Sequence, residues 1–231
     1  MSGLEHFVTP PEREQLTGEA LCFACAQSGT CCCRTDPDLT YLSFPLSLPE
    51  WRRLLPYAAL ATMAVPENAE AYARENAVAR SAANGIRVSS EQAGMEAAVW
   101  PAGGDNICAP EPNEPDFVAS MRALFPTEKS VVQAMFPLEG RHFSLRTRPD
   151  GSCVFLGEEG CRLPRTARPW YCLLFPAWLV EDSLTLFLSG DCLISRRAQG
   201  PAHGVRLLNQ HPAGIRKLYA ALRHDWGLES S

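Results

Sequence analysis

Ten cysteines carry the reactive chemistry of this 231-residue chain, and they are unevenly spread. One group follows the N-terminus and another occupies the last third of the chain. The first group contains Cys22, Cys25, Cys31, Cys32 and Cys33, and the second contains Cys153, Cys161, Cys172 and Cys192. Cysteine thiolates bind zinc ions and iron–sulfur clusters. We therefore expect sulfur atoms from the two groups to meet around one inorganic centre.

The spacing inside the first group favours metal ligation over disulfide pairing. The Cys-x-x-Cys step from Cys22 to Cys25 allows two sulfurs to converge on one ion through a tight turn. Adjacent Cα atoms in the run Cys31-Cys32-Cys33 lie ~3.8 Å apart, whereas a disulfide prefers roughly 4.4–6.8 Å. In an extended run Cys32 faces away from both neighbours, so the three residues need not serve one centre.

The N-terminal residues indicate a compartment in which thiols stay reduced. Residues 1–20 are polar and acidic and lack the basic start and apolar run of a secretory signal. We therefore expect a cytoplasmic protein with an N-terminal arm at 1–20, and structural disulfides are disfavoured there. The sequence has no run of about 18 apolar residues, so no membrane helix is expected. The net charge of −5 disfavours a nucleic-acid partner, while an unidentified protein partner stays open.

Arginines surround the second cysteine group. Arg162, Arg165 and Arg168 lie between Cys161 and Cys172, and this group has no second Cys-x-x-Cys step. An ordinary zinc ribbon uses two such steps, so this group is not a typical ribbon. The guanidinium groups could offset the negative charge of a thiolate site and hydrogen-bond its sulfur atoms. The alternative is that they only solvate a loop.

Several motifs in the two groups match one known pattern. They are Phe23-Ala-Cys25-x-x-Ser28-Gly29-x-Cys31-Cys32, Cys153-Val-Phe155-Leu156, Cys161, Arg168-Pro169-x-x-Cys172 with Phe175-Pro176, and Gly190-Asp191-Cys192. The combination resembles the bacterial YkgJ-type cysteine-cluster family, whose members carry a Cys-x-x-Cys-x-x-Cys-Cys signature and are described as zinc- or iron-chelating. The resemblance covers about residues 23–55 and 150–195.

The spacing and the resemblance together give a predicted set of metal ligands. It consists of Cys25, Cys31, Cys32, Cys153, Cys161, Cys172 and Cys192. Ser28 stands where the family has its second cysteine, and serine oxygen is a poor replacement for thiolate, so Cys22 or Cys33 would have to compensate. Irregular spacing and the absence of ligand-spaced histidines favour a 4Fe–4S cluster over a zinc ion. Cys108, which is apart from both groups, is expected to be a small buried apolar residue.

The pattern around these residues predicts a helix-rich α+β fold. Residues 21–231 are expected to form one domain, with a small irregular β portion organised around the metal centre and an Ala-rich helical insertion at about 58–140. A capping box at Ser47–Glu50 predicts a helix that Pro56 splits. Other expected elements are helices at 66–84, 90–99 and 127–136, an exposed loop at 101–115, strands at 142–148 and 153–156, a hairpin at 177–188, and an amphipathic C-terminal helix through Ile215, Tyr219 and Leu222.

Three functions remain open from the sequence. The first is a metal-binding protein with a structural or redox iron–sulfur centre. The second is an enzyme, because flagellin lysine N-methylase-type proteins carry a similar cysteine signature; no adenosyl-group-binding loop is recognisable here. The third is a zinc-stabilised module whose helices bind a protein partner. None of the five histidines has ligand spacing with another, so structural roles are expected for them.

Overall fold

The computed structural model describes residues 16–27, 33, 44–62, 106–158, 160–187 and 192–228. The chain divides into two compact units. The terminal unit combines Met1–Asp36 with Leu156–Ser231, and the central unit is Pro37–Phe155. The predicted ligands Cys31 and Cys32, together with Ser28, lie outside the described residues. So do the helices predicted at 66–84 and 90–99. The single domain expected from the sequence stays a prediction.

The terminal unit is built mainly from short helices. Its helices are α1 (Gly18–Gln27), α6 (Trp170–Leu174), α7 (Leu193–Arg197), α8 (Pro201–Leu207) and α9 (Pro212–Asp225), with a 3-10 turn at Arg165–Ala167. Two antiparallel hairpins accompany them, β3 (Leu156–Gly157) with β4 (Gly160–Cys161), and β5 (Ala177–Val180) with β6 (Ser183–Leu186). Trp178, Ile215 and Leu222 are fully buried in the core of this unit.

In its described residues, the central unit combines a two-stranded sheet with short helices. Its elements are α2 (Leu48–Leu54), a 3-10 turn (Leu55–Tyr57), α3 (Ala58–Thr62), β1 (Cys108–Pro112), α4 (Pro115–Leu124), α5 (Lys129–Met135) and β2 (Arg141–Leu145). Strands β1 and β2 are antiparallel, with Cys108 opposite Leu145 and Pro112 opposite Arg141. Trp51, Phe117 and Phe125 fill the core. The described chain as a whole is therefore helix-rich α+β with small antiparallel sheets.

Local signals predicted several elements correctly. The Ser47 hydroxyl accepts from the Glu50 backbone N–H while the Glu50 carboxylate accepts from the Ser47 N–H, which is the predicted capping box. Helix α2 ends at Leu54, and Pro56 lies inside the 3-10 turn Leu55–Tyr57 that follows it. The β5–β6 hairpin turns through Glu181 and Asp182, both with positive φ, as a two-residue turn requires. The C-terminal helix forms with His211 as its N-cap.

Two expectations about local structure were wrong. The segment 101–115 was predicted to be an exposed loop, but its residues Cys108–Pro112 form strand β1. Prolines lack a backbone N–H and are tolerated in edge strands, so the two prolines of β1 suit a two-stranded sheet. A full strand was predicted at 153–156, whereas the structure has an isolated bridge from Cys153 to Thr147 and a two-residue strand at Leu156–Gly157.

Among the described helices, none combines the length and the apolar character that crossing a membrane requires.

Candidate metal centre

Helix α1 carries the first two cysteines of the chain. Cys22 and Cys25 are one turn apart on this helix, with Cys25 buried and Cys22 half-buried. The prediction that the Cys-x-x-Cys step forms a tight turn was therefore wrong, because these residues are helical. Gly18 begins the helix with φ +60°, and a Cβ there would lie 2.6 Å from the side-chain nitrogen of Asn209. Glycine thus allows the helix to start directly against the turn between α8 and α9.

Cys25 and Cys192 meet inside the terminal unit. The Cys192 thiol forms a hydrogen bond with Cys25, although one residue follows the N-terminus and the other lies in the last fifth of the chain. Their exposed fractions are 5% and 2%. Cys192 is the N-cap of α7 and packs in an apolar cluster that is formed by Leu21, Ile194, Leu207 and Leu208, with Cys22 and Phe175 at its edge. Sulfur atoms from the two cysteine groups therefore meet at this pair, while the inorganic centre that the sequence predicts around them stays a prediction.

The pKa of Cys192 reflects these surroundings. The hydrogen bond with Cys25 is the largest cause that raises the pKa of the Cys192 thiol well above its ordinary value, and burial is the second. Backbone and side-chain hydrogen bonds with Ser195 act in the opposite direction but are smaller. The Cys192 thiol is consequently held in its protonated form when nothing else neutralises the sulfur charge.

Cys161 is carried by a hairpin that packs on α1. It ends strand β4, directly after Gly160. The Phe23 ring of α1 covers Gly160 so closely that a Cβ on this glycine would lie 3.6 Å from the ring. Cys161 is half-buried. The hairpin thus brings a third cysteine segment against the helix that holds Cys25.

Cys172 lies half-buried on α6, which is fixed at two points. The Trp170 indole N–H donates to the Asp225 carboxylate at 2.7 Å, and the Gln210 amide donates to the Leu173 carbonyl at 3.2 Å. Phe175, at the C-cap of α6, packs against the apolar cluster around Cys192. The helix bearing Cys172 therefore adjoins the apolar surroundings of the cysteine pair.

Cys153 and Cys108 lie in the central unit. Cys153 is half-buried and forms an isolated β-bridge with Thr147. Cys108 begins strand β1 and is buried, which confirms the burial expected for it. No disulfide joins any two of the eight cysteines in the described ranges. Over the same ranges, no group of three or more His, Cys, Asp or Glu residues is arranged to hold a metal ion.

The three arginines of the second group have different surroundings. Arg165 is exposed on the 3-10 turn, and the stem of Arg162 lies over Gly157. Arg168 donates through Nε to the Leu163 carbonyl at 3.1 Å and forms an ion pair with Glu19 of α1 at 2.9 Å. Arg168 thus bonds to oxygen atoms, whereas the sequence left open bonds to sulfur or solvation of a loop. No pattern in the sequence pointed to Glu19 as its partner.

A second buried polar pair lies in the central unit, where β2 places His142 beside Asn113. The Asn113 amide nitrogen donates to the Pro137 carbonyl at 2.8 Å, so its oxygen accepts from His142 Nδ1–H at 2.9 Å. The imidazole stacks on Phe117 with ring centroids 3.7 Å apart. Nε2 has no hydrogen-bond partner within the described part of the chain. Burial lowers the pKa of His142 to about 4.

No protein-family model, no curated protein and no solved structure matches this chain.

Proposed function

We propose that this protein binds a metal centre through cysteine thiolates of its terminal unit, with an iron–sulfur cluster as the first candidate and a zinc ion as the second. The observation that carries the proposal is the buried contact between Cys25 and Cys192. The two residues belong to the two cysteine groups that the sequence separates. Their meeting supports the expectation that both groups contribute to one centre.

The chemistry of this donor pair fits a soft metal. Thiols are weak hydrogen-bonding groups, so a thiol–thiol contact contributes little to stability. A metal ion binds thiolates, displaces the thiol protons and neutralises the charge that burial would otherwise penalise. The raised pKa of Cys192 reflects the free energy needed to ionise this thiol without a cation nearby. A bound cation would offset that free energy.

The described pair supplies two donors, and a four-thiolate site requires two more. Cys161 is a candidate for one of them, because its hairpin packs on the helix that carries Cys25. Cys31 and Cys32 follow that helix in sequence and remain proposed ligands. Cys172 and Cys153 stay in the predicted set.

The apolar surroundings of the pair suit either centre. Leu21, Ile194 and Leu207 pack with Cys192 and exclude water from its sulfur, and such a shell tunes a metal site by limiting solvent access. A bound iron–sulfur cluster would supply one-electron redox chemistry, whereas zinc would brace the fold. The chain's own residues have the same role in both cases, because they hold the sulfurs together and keep water away.

Metal analysis of the purified protein tests the proposal. We expect protein purified without oxygen to contain iron and acid-labile sulfide in stoichiometric amounts and to absorb broadly near 400 nm, at the position typical of thiolate-bound iron–sulfur clusters. Colourless protein with one equivalent of zinc would support the zinc alternative. Protein that contains none of these elements, and takes none up when they are supplied to the reduced form, would refute the proposal.

Alanine variants identify the ligands. We expect Cys25→Ala and Cys192→Ala each to reduce the metal content at least tenfold, because each removes a thiolate donor. Cys108→Ala is the matched control, since Cys108 is equally buried but lies in the central unit, and it should keep its metal. Far-UV circular dichroism of all three variants checks that they are folded. Equal metal content in all of them would contradict the assignment.

A further inference from the structure

We infer that Arg168 and Arg197 are positioning residues that hold helix α1 so that Cys25 faces Cys192. The inference rests on the proposed function only where it concerns metal uptake. The contact between the two thiols can be tested on the metal-free protein. The bonds that carry this inference go to oxygen atoms, so they act on the thiol contact indirectly.

Arg168 joins three segments of the terminal unit that bear cysteines. It precedes α6, which carries Cys172, and its Nε donates to the carbonyl of Leu163, two residues after Cys161. Its terminal nitrogen forms the ion pair with Glu19 on α1. One guanidinium with donors in a fixed planar fork can make these two bonds at once, and a lysine cannot reproduce both.

Arg197 makes a similar connection to α1 from the segment that bears Cys192. It ends helix α7, whose N-cap is Cys192, and donates to the Leu16 carbonyl at 2.9 Å. Leu16 lies two residues before α1. The two arginines therefore fix the same end of α1, one at Leu16 and the other at Glu19.

Helix α1 requires such external fixation. It has ten residues, and isolated helices shorter than roughly 12–15 residues are marginal in water. Cys25 lies nearly two turns beyond Glu19, so a small rotation or slide of the fixed end moves its sulfur away from Cys192. The apolar packing of Leu21 supplies contact area, while the directional bonds of the two arginines define rotation and position along the axis.

The chain offers matched controls for both arginines. Arg165 lies three residues before Arg168, and Arg196 lies directly before Arg197; both controls are exposed. Replacing an exposed arginine removes the same charge and a side chain of the same size. A difference between each pair therefore reports the bonds to α1 rather than the net charge of the protein.

The alkylation rates of Cys25 and Cys192 in the metal-free, reduced protein report whether the two thiols are in contact. Peptide mapping by mass spectrometry gives the rate at which iodoacetamide modifies each cysteine. We expect Arg168→Leu and Arg197→Leu to increase the rates at Cys25 and Cys192 at least fivefold, and Arg165→Leu and Arg196→Leu to leave them unchanged. Cys108, buried in the central unit, reports general unfolding and should stay protected in all variants.

Conservative variants separate positioning from general loss of structure. Arg197→Lys keeps a donor for the Leu16 carbonyl and should restore protection. Arg168→Lys keeps a charge for Glu19 but loses the Nε bond, so partial protection is expected. Glu19→Gln removes the ion pair at an exposed carboxylate and should raise the alkylation rate at Cys25 without unfolding the protein.

The outcomes distinguish this inference from the proposed function. Unchanged rates at Cys25 and Cys192 in Arg168→Leu and Arg197→Leu would overturn the inference, and so would a parallel rise at Cys108. If the rates change as expected but no form of the protein binds metal, the positioning role stands and the metal proposal fails. If metal binds to wild type and is equally retained by the leucine variants, the positioning role fails.

Discussion

Among the described residues, each unit buries a polar pair, Asn113 with His142 and Cys25 with Cys192, and the two pairs differ in how well hydrogen bonds account for them. In the central unit, Asn113 uses its amide nitrogen on Pro137 and its oxygen on His142, so every bond has a defined donor and acceptor. In the terminal unit, the pair consists of two thiols, which are weak donors and weak acceptors. The bond of the first pair has a defined donor and acceptor, although His142 Nε2 has no partner among the described residues. For the second pair, the proposed function supplies a ligand that would replace its protons.

The surroundings of the two pairs lead to the same distinction. Burial favours the neutral form of both His142 and Cys192, lowering the pKa of the imidazole and raising that of the thiol. Phe117 stacks flat on the imidazole, which suits a residue that stays neutral in a core. Cys192 instead contacts a second potential thiolate. Buried sulfur pairs of this kind gain most from a cation, so we expect the units to respond differently to metal removal and to acid.

Metal removal should produce the largest effect, and it should act on the terminal unit. A ligand that binds only the folded state at a thousandfold excess over its dissociation constant stabilises that state by roughly 4 kcal/mol. Stripping the metal should therefore lower the midpoint of thermal unfolding, and alkylation of Cys25 should accelerate while Cys108 stays protected. Thermal scans of loaded and stripped protein measure this. Equal midpoints would mean that metal does not stabilise the unit that contains Cys25 and Cys192, and the contrast with the Asn113–His142 pair would fail.

Acid should produce the next largest effect, and it should act on the central unit. The His142 pKa is about 4 in the folded protein against 6.5 as its ordinary value, so between these pH values the unfolded state binds the extra proton. Stability should therefore fall as the pH drops from 6.5 to 4, by about 3 kcal/mol at 1.36 kcal/mol per pKa unit. Glu111, opposite His142 across β1 and β2, has a raised carboxyl pKa and partly offsets this loss.

Variants of two histidines isolate the acid effect. His142→Gln keeps a donor for the Asn113 oxygen but cannot titrate near neutral pH, so its stability should change less between pH 6.5 and 4. His224→Gln is the control, since the His224 side chain is 90% exposed, and it should keep the wild-type pH dependence. Urea unfolding at several pH values gives the free energy of unfolding for each protein. An unchanged acid loss in His142→Gln would show that another group is responsible.

Removing Asn113 should have the smallest effect of the three. Asn113→Ala leaves the Pro137 carbonyl and His142 Nδ1–H without their partner, which costs about 1–3 kcal/mol for buried groups. Gln133→Ala, an exposed change on α5 nearby in sequence, should cost much less. The midpoint of urea unfolding measures both. A loss below about 0.5 kcal/mol for Asn113→Ala would mean that the Asn113 bonds contribute little to the stability of the central unit. The contrast drawn between the two polar pairs would then fail.

Elements with strong local signals were predicted from the sequence. The capping box at Ser47 and Glu50, the β5–β6 hairpin and helix α9 depend on neighbouring residues, so a short stretch of sequence contains their cause. Strand β1 was not predicted, because its prolines indicate a loop. Only the pairing with β2 makes this segment a strand. The helical state of Cys22 and Cys25 was missed for the same reason, since the packing of α1 on other segments stabilises it.

The sequence alone indicated a kind of chemistry: nine of the ten cysteines fall into two groups, and three arginines lie between Cys161 and Cys172. It could not determine which sulfurs meet or which arginine matters. Those outcomes depend on contacts between residues far apart in the chain, such as Cys25 with Cys192 and Glu19 with Arg168. Only the tertiary structure decided them, because residue type and spacing limit what a side chain can bind, whereas packing fixes the neighbours that it has.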